Sequence, residues 1–164
     1  MHKTIVPIFA SLKENYMKAT LLSLVLLVST AISAQNPVSW NFTSKKLPNG
    51  TYEIHMTATI ENGWHLYSQM QPEDAIAIPT TFTITNNPLI EKVGKIKEVG
   101  KLEKFHDKEL ELSAYQYSKT VDFVQVVKLK GKAKTNFSGS VEFQTCDDKK
   151  CLPAKTVNFK VALN

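Results

Sequence analysis

Tyr52-Glu53-Ile54-His55-Met56-Thr57-Ala58-Thr59-Ile60 puts an apolar residue at every second position and a polar one between. A period of two is the pleat of a strand with one face in a core and one in water. Similar runs recur outward in both directions: Val38–Thr43 before it, and Ile78–Thr85, Leu110–Tyr117, Thr120–Leu129, Val141–Thr145 and Thr156–Ala162 after it. Turn-forming pieces punctuate them, among them Pro48-Asn49-Gly50, Glu61-Asn62-Gly63 and Asn86-Asn87-Pro88. Seven or more short strands with no amphipathic helical stretch predict an all-β fold, an antiparallel β-sandwich. In Thr120–Leu129 the apolar residues change phase, Val121 and Phe123 on one parity, Val124 and Val126 on the other. That predicts a bulge, or a strand covered on both faces.

The N-terminus has a different character. From Met17, Lys18 supplies a short basic region, Leu21–Val28 an apolar run, and small residues lead to Ser33-Ala34. Residues 17–34 therefore read as a cleavable signal peptide, cut after Ala34 or after its near rival Ser33. The apolar run is too short to span a bilayer of about 30 Å, so no membrane insertion is expected after cleavage. Residues 1–16 precede an already complete signal and read as an over-called start or an extended basic region. Residues 35–164 remain, one domain large enough to build a core without disulfides or metals.

Charge narrows the function. Without Lys3, Lys13, Lys18 and Glu14, seventeen lysines face fourteen acidic residues, a net charge of +3. The chain has no arginine, the usual residue for bidentate phosphate and guanine contacts, so nucleic acid is not an expected partner. The densest lysine stretch, Lys92 to Lys108, is interleaved with Glu91, Glu98, Glu103 and Asp107 and reads as solvated strand edge.

The chemistry-bearing feature is Cys146-Asp-Asp-Lys-Lys-Cys151, set between two strand patterns at the top of a hairpin. Opposed residues in such a pair lie close enough at Cα to carry a disulfide. One reading is a plain stabilising bridge, ordinary in an exported domain. Closing a loop of about six residues is worth roughly 2 kcal/mol, against more than about 4 kcal/mol for a bridge spanning some 60 residues. The other reading is redox exchange, which needs a reachable sulfur. Strand parity groups Cys146 with Glu142 and Gln144, away from Val141 and Phe143, so a regular strand would turn it from the apolar core. Lys149 and Lys150 favour a thiolate and Asp147 and Asp148 oppose it, so loop charge predicts no direction of shift. Zinc is disfavoured, since two cysteines supply half a structural site and His55, His65 and His106 are scattered. The pair is not CxxC and no βαβ pattern surrounds it, so a thioredoxin fold is not predicted.

With Cys146-Asp-Asp-Lys-Lys-Cys151-Leu-Pro-Ala following Val-Glu-Phe-Gln-Thr, the end of the chain resembles the N-terminal periplasmic domain of the DsbD thiol:disulfide interchange family. Gly63-Trp64-His65-Leu66-Tyr67-Ser68-Gln69, followed by Ile78-Pro79-Thr80-Thr81-Phe82, is similar to a second segment of that family, in the same order. The resemblance covers most of residues 36–163. It implies an immunoglobulin-like sandwich in the periplasm whose cysteine pair passes electrons to thioredoxin-like proteins, with no metal or organic cofactor. It further implies that Cys151 forms the mixed disulfide with partners and Cys146 resolves it.

The family shields its cysteines with an aromatic cap. Phe105, in Lys104-Phe105-His106-Asp107, is the candidate here, with an ordinary core or edge aromatic as the competing reading. Tyr67 is the candidate second contact at the cysteines, and Trp64 reads as a core residue. Since this chain carries neither the family's membrane conduit nor its thioredoxin-like domain, electrons are expected from a separate membrane thiol reductase. The rival function is an exported immunoglobulin-like binding or assembly module whose disulfide only pins a hairpin.

Overall fold

The computed structural model describes residues 36–164 apart from 110, 132 and 133; the expected signal peptide at 17–34 and the segment before it lie outside the described residues. Eleven strands follow one another: β1 (Val38–Lys46), β2 (Thr51–Ile60), β3 (His65–Tyr67), β4 (Thr81–Ile84), β5 (Ile90–Gly100), β6 (Glu103–Asp107), β7 (Leu112–Tyr117), β8 (Thr120–Leu129), β9 (Thr135–Phe143), β10 (Thr145–Cys146) and β11 (Lys155–Leu163). A single 3-10 turn, Pro48–Gly50, is the only helical element among the described residues.

All pairings are antiparallel. The ladders run β1-β2-β8-β5, β11-β9-β4 and β10-β3-β7-β6. This is the all-β antiparallel sandwich that the period-two runs predict. Its core forms where the first two ladders face each other. Tyr52, Ile54, Met56, Ala58 and Ile60 of β2 are buried together with Val121, Phe123 and Val127 of β8, Phe137, Val141 and Phe143 of β9, and Phe159, Val161 and Leu163 of β11. Aromatic rings dominate the middle: Trp40 lies 5.4 Å from Phe143 and 5.8 Å from Phe123, and Phe82 lies 5.0 Å from Phe123. Tilted and edge contacts at these spacings add to the burial of the rings themselves.

Of the two expectations for β8, a bulge or cover on both faces, the strand itself has no bulge, and Val124 and Val126 on its other face are half-buried. Val121, Phe123, Gln125 and Val127 form one buried face without interruption. The irregularity lies in its partner, where β5 shifts register between Val93 and Lys97. Gln125 occupies an inward position because its side-chain amide reaches the carbonyls of Val93 and Gly94 in that irregular segment and of Val126. A polar residue at a core position is thus accounted for by the backbone groups the bulge leaves open. The lysine-rich stretch forms β5 and β6, and each is the edge of its ladder.

The third ladder follows on from the first, with β3, β7 and β6 in the same order as β2, β8 and β5. Three short connections join the two: Glu61–Trp64 between β2 and β3, residues 101–102 between β5 and β6, and residues 118–119 between β7 and β8. The first is a tight turn in which the Trp64 amide donates to the Glu61 carbonyl at 3.1 Å. Gly63 takes φ 81° there, a value that costs glycine nothing. At the same level β9 leaves β11 and, after Gln144, pairs as β10 with β3.

Candidate functional site

Cys146 and Cys151 face each other across the hairpin with their Cα atoms 4.0 Å apart, and the two sulfurs are bonded. Beyond them the chain turns in four residues. The Asp147 amide donates to the Lys150 carbonyl at 2.9 Å, and the Asp147 carboxylate accepts from the amides of Lys149 and Lys150, both at 2.8 Å. The Lys149 amide, joined by that of Lys150 and by the two lysine charges, holds the Asp147 carboxyl below its usual range. Below the cysteines the hairpin is not regular. Phe143 pairs with Lys155, whereas the Leu152 amide donates to the Thr145 carbonyl, so the return strand carries one residue more than the outgoing one. That bulge tilts the cysteine loop out of the β9–β11 ladder and onto β3.

The expectation for Cys146 needs correcting. It does turn away from the main core, yet it is not reachable: only 3% of it is exposed. The strand does not stay regular after Phe143, and as β10 it docks on β3 with its cysteine beneath a second apolar cluster of Tyr67, Ala114 and Ala77. Cys151 is the exposed member of the pair.

Register places the surroundings. Cys146 is directly opposite His65, Tyr67 opposite Gln116, Gln116 opposite Glu103 and Ala114 opposite Phe105. Opposed residues of antiparallel strands share a sheet face, so all of these line the face that carries Cys146. Tyr67 is buried in the cysteine's own cluster, its backbone carbonyl accepting from the Thr80 hydroxyl at 2.6 Å. Burial pushes the Tyr67 phenol up, so it stays protonated. Phe105 is 51% exposed and stands on β6, with β3 and β7 between it and the cysteines. Trp64 packs against the main core, and the Lys150 ammonium sits over its ring at 5.8 Å, tying the cysteine loop to the start of β3.

Residue reasoning missed a chain of hydrogen bonds on this face. The Ser118 hydroxyl donates to the Glu103 carboxylate, His65 Nδ1 lies 3.0 Å from the same Ser118 oxygen, and His65 Nε2 lies 3.5 Å from Asp148 Oδ1. The only signal was the polar His65 and Tyr67 alternating with Leu66, in a strand three residues long. Among the described residues no group of three or more His, Cys, Asp or Glu is placed to hold a metal ion.

Against known families, residues 33–163 match the model of the thiol:disulfide interchange protein DsbD, N-terminal. The chain belongs to the DsbD N-terminal domain family. Among solved structures it is similar to the N-terminal periplasmic domain of ScsB from Proteus mirabilis, at 16% identity and a TM-score of 0.52, covering 81% of this chain and 48% of that one. The chain thus spans about half the length of that structure. The reduced DsbD N-terminal domain of Neisseria meningitidis aligns at 14% identity and a TM-score of 0.48, over 68% of this chain and 77% of that one. The DsbD N-terminal chain in its complex with the PilB N-terminal domain, from the same organism, aligns at 9% and 0.46, over 80% and 87%. No curated protein matches the sequence significantly. The sandwich is accordingly the immunoglobulin-like fold of DsbD N-terminal domains, and the cysteine hairpin belongs to that domain.

Proposed function

We propose that this DsbD N-terminal-type domain is a periplasmic thiol–disulfide exchange module that passes reducing equivalents to thioredoxin-like partners through Cys146 and Cys151. The observation that carries the reading is the asymmetry of the pair: Cys151 is exposed and Cys146 is 3% exposed. In the reduced protein the Cys151 thiolate attacks a partner disulfide, one partner sulfur leaves, and Cys146 then attacks Cys151 to release the other and close the hairpin bond. An exposed sulfur is the one a partner can approach in line, and a buried neighbour at Cα distance 4.0 Å is placed to resolve. Its electrons come from a separate membrane thiol reductase. Among the described residues no helix is long and apolar enough to cross a membrane. Export through the signal in residues 17–34 places the module in the periplasm.

Tyr67 is the contact that covers Cys146, and Phe105 is the aromatic at the rim of the same face. The Cys146→Ala variant should accumulate mixed disulfides with an oxidised thioredoxin-like protein, and Cys151→Ala should form none. Absence of any adduct from Cys146→Ala would sink the assignment. The reduction potential separates this reading from a bridge that only pins the hairpin: exchange proteins span about −180 to −270 mV, and structural disulfides lie below about −300 mV.

A further inference from the structure

The resolving half of this exchange poses a problem that the structure itself raises. Cys146 must become a thiolate while buried under Tyr67, Ala114 and Ala77. An apolar surrounding disfavours the charged form, so a buried thiol is a poor nucleophile unless a cation stands beside it. The nearest titratable side chain by register is His65, directly opposite Cys146 in the β3–β10 pair. Side chains so opposed have Cβ atoms about 4.5–5.5 Å apart.

The hydrogen bonds around His65 settle how its ring is held. Ser118 spends its only proton on the Glu103 carboxylate, so its oxygen can only accept from His65 Nδ1. Nδ1 is therefore the protonated nitrogen, and Nε2 is the basic one. Nε2 faces the cysteine loop, with Asp148 Oδ1 at 3.5 Å. Carboxylate, hydroxyl and imidazole thus stand in the order that orients a base, on the strand directly opposite Cys146. The other polar and charged groups of this region are Tyr67 on the same strand, which burial keeps protonated, and Asp147, Lys149 and Lys150 in the loop. Asp147 is occupied by the loop's own amides, Lys150 stands over Trp64 and a lysine ammonium offers no acceptor, so His65, directly opposite Cys146, is the group placed to take the proton.

We propose that, once the hairpin bond is open, the His65 imidazole takes the Cys146 proton and holds the sulfur as a thiolate–imidazolium pair, with Glu103 and Ser118 as positioning residues. The inference rests on the exchange reading above. In the step itself, the Cys146 S–H proton passes to Nε2 and the thiolate attacks Cys151 Sγ. The Cys146–Cys151 bond forms, the bond from Cys151 to the partner sulfur breaks, and the partner leaves as a thiolate that recovers a proton from the imidazolium or from water. Two electrons pass from the dithiol to the partner's disulfide.

The test uses the reduced full domain and limiting 5,5′-dithiobis(2-nitrobenzoate). Attack by Cys151 releases one coloured thiolate, and resolution by Cys146 releases the second. His65→Gln should slow the second release by roughly tenfold or more near about pH 6.5 and leave the first unchanged. The difference should shrink as pH rises and hydroxide ionises the thiol unaided. Ser118→Ala and Glu103→Gln, which keep the ring but loosen it, should move the same pH profile part of the way. A second release in His65→Gln with the wild-type rate and pH profile overturns the proposal. Should His65→Gln fail to fold, an unmoved profile in both Ser118→Ala and Glu103→Gln overturns it equally. A wild-type domain that never makes the second release would refute the exchange reading instead.

Discussion

At the scale of single residues, the decisive contrast lies between two cysteines five positions apart in the chain. Cys146 is buried because β10 pairs with β3 and sits in the cluster of Tyr67, Ala114 and Ala77, while Cys151 on the return strand stays exposed. Other residues are set by closeness of backbones. A Cβ built on Gly139 would lie 2.4 Å from the Thr83 carbonyl oxygen and 3.0 Å from the Phe159 ring. Gly139→Ala should therefore push β4 from β9 and destabilise the domain by about 1–3 kcal/mol, measured by urea unfolding. Phe105 is exposed on the rim of the cysteine face, so Phe105→Ala should leave unfolding unchanged. If the ring shields the pair, alkylation of reduced Cys151 will be faster in that variant.

At the scale of elements, the hairpin loop is organised by one carboxylate. Asp147 accepts from two loop amides, so its value is local order. Its folded pKa is depressed, so its contribution is complete above the ordinary value of 3.8 and is lost as pH falls below that through the folded value. Hydrogen exchange at the Lys149 and Lys150 amides should consequently lose protection on acidification below about pH 4. Asp147→Ala should lose the same protection at neutral pH, and Asp147→Asn, which keeps the accepting oxygen, should retain much of it. Tyr117 behaves in the opposite way. Burial, and then the Glu98 carboxylate that accepts its hydroxyl at 2.6 Å, hold the phenol protonated far above the ordinary range. Glu98 also accepts from Ser68 and from the Gln69 amide, so it knots β5 to the segment after β3.

Taken whole, the molecule should fold without its disulfide. The bridge closes a six-residue loop, and its loss should cost roughly 2 kcal/mol, leaving a folded domain after reduction. The core is another matter. Phe123 is fully buried between Trp40 and Phe82, and Phe123→Ala should cost about 3–5 kcal/mol. Thermal unfolding of the oxidised, reduced and Phe123→Ala proteins should rank in that order. A reduced protein that unfolds outright would show the pair to be structural.

By itself the sequence determined the sheet and its inner face. The period-two runs at β2 and β11 are long enough for the pleat to show, and each buries the residues its alternation selects. It also marked the cysteine hairpin, because two strong strands flank a loop of four residues. Tertiary structure decided the rest. β3 and β10 are three and two residues long, too short for any period to register, and they exist because each other's backbone is there to pair with. The bulge expected in β8 lies in β5, since a bulge is a property of two strands in register and one strand read alone cannot assign it. The accessibility of the cysteines followed the same rule: parity along one strand gave Cys146 its face, but what covers that face came from β3 and β7, some thirty to eighty residues away in the chain.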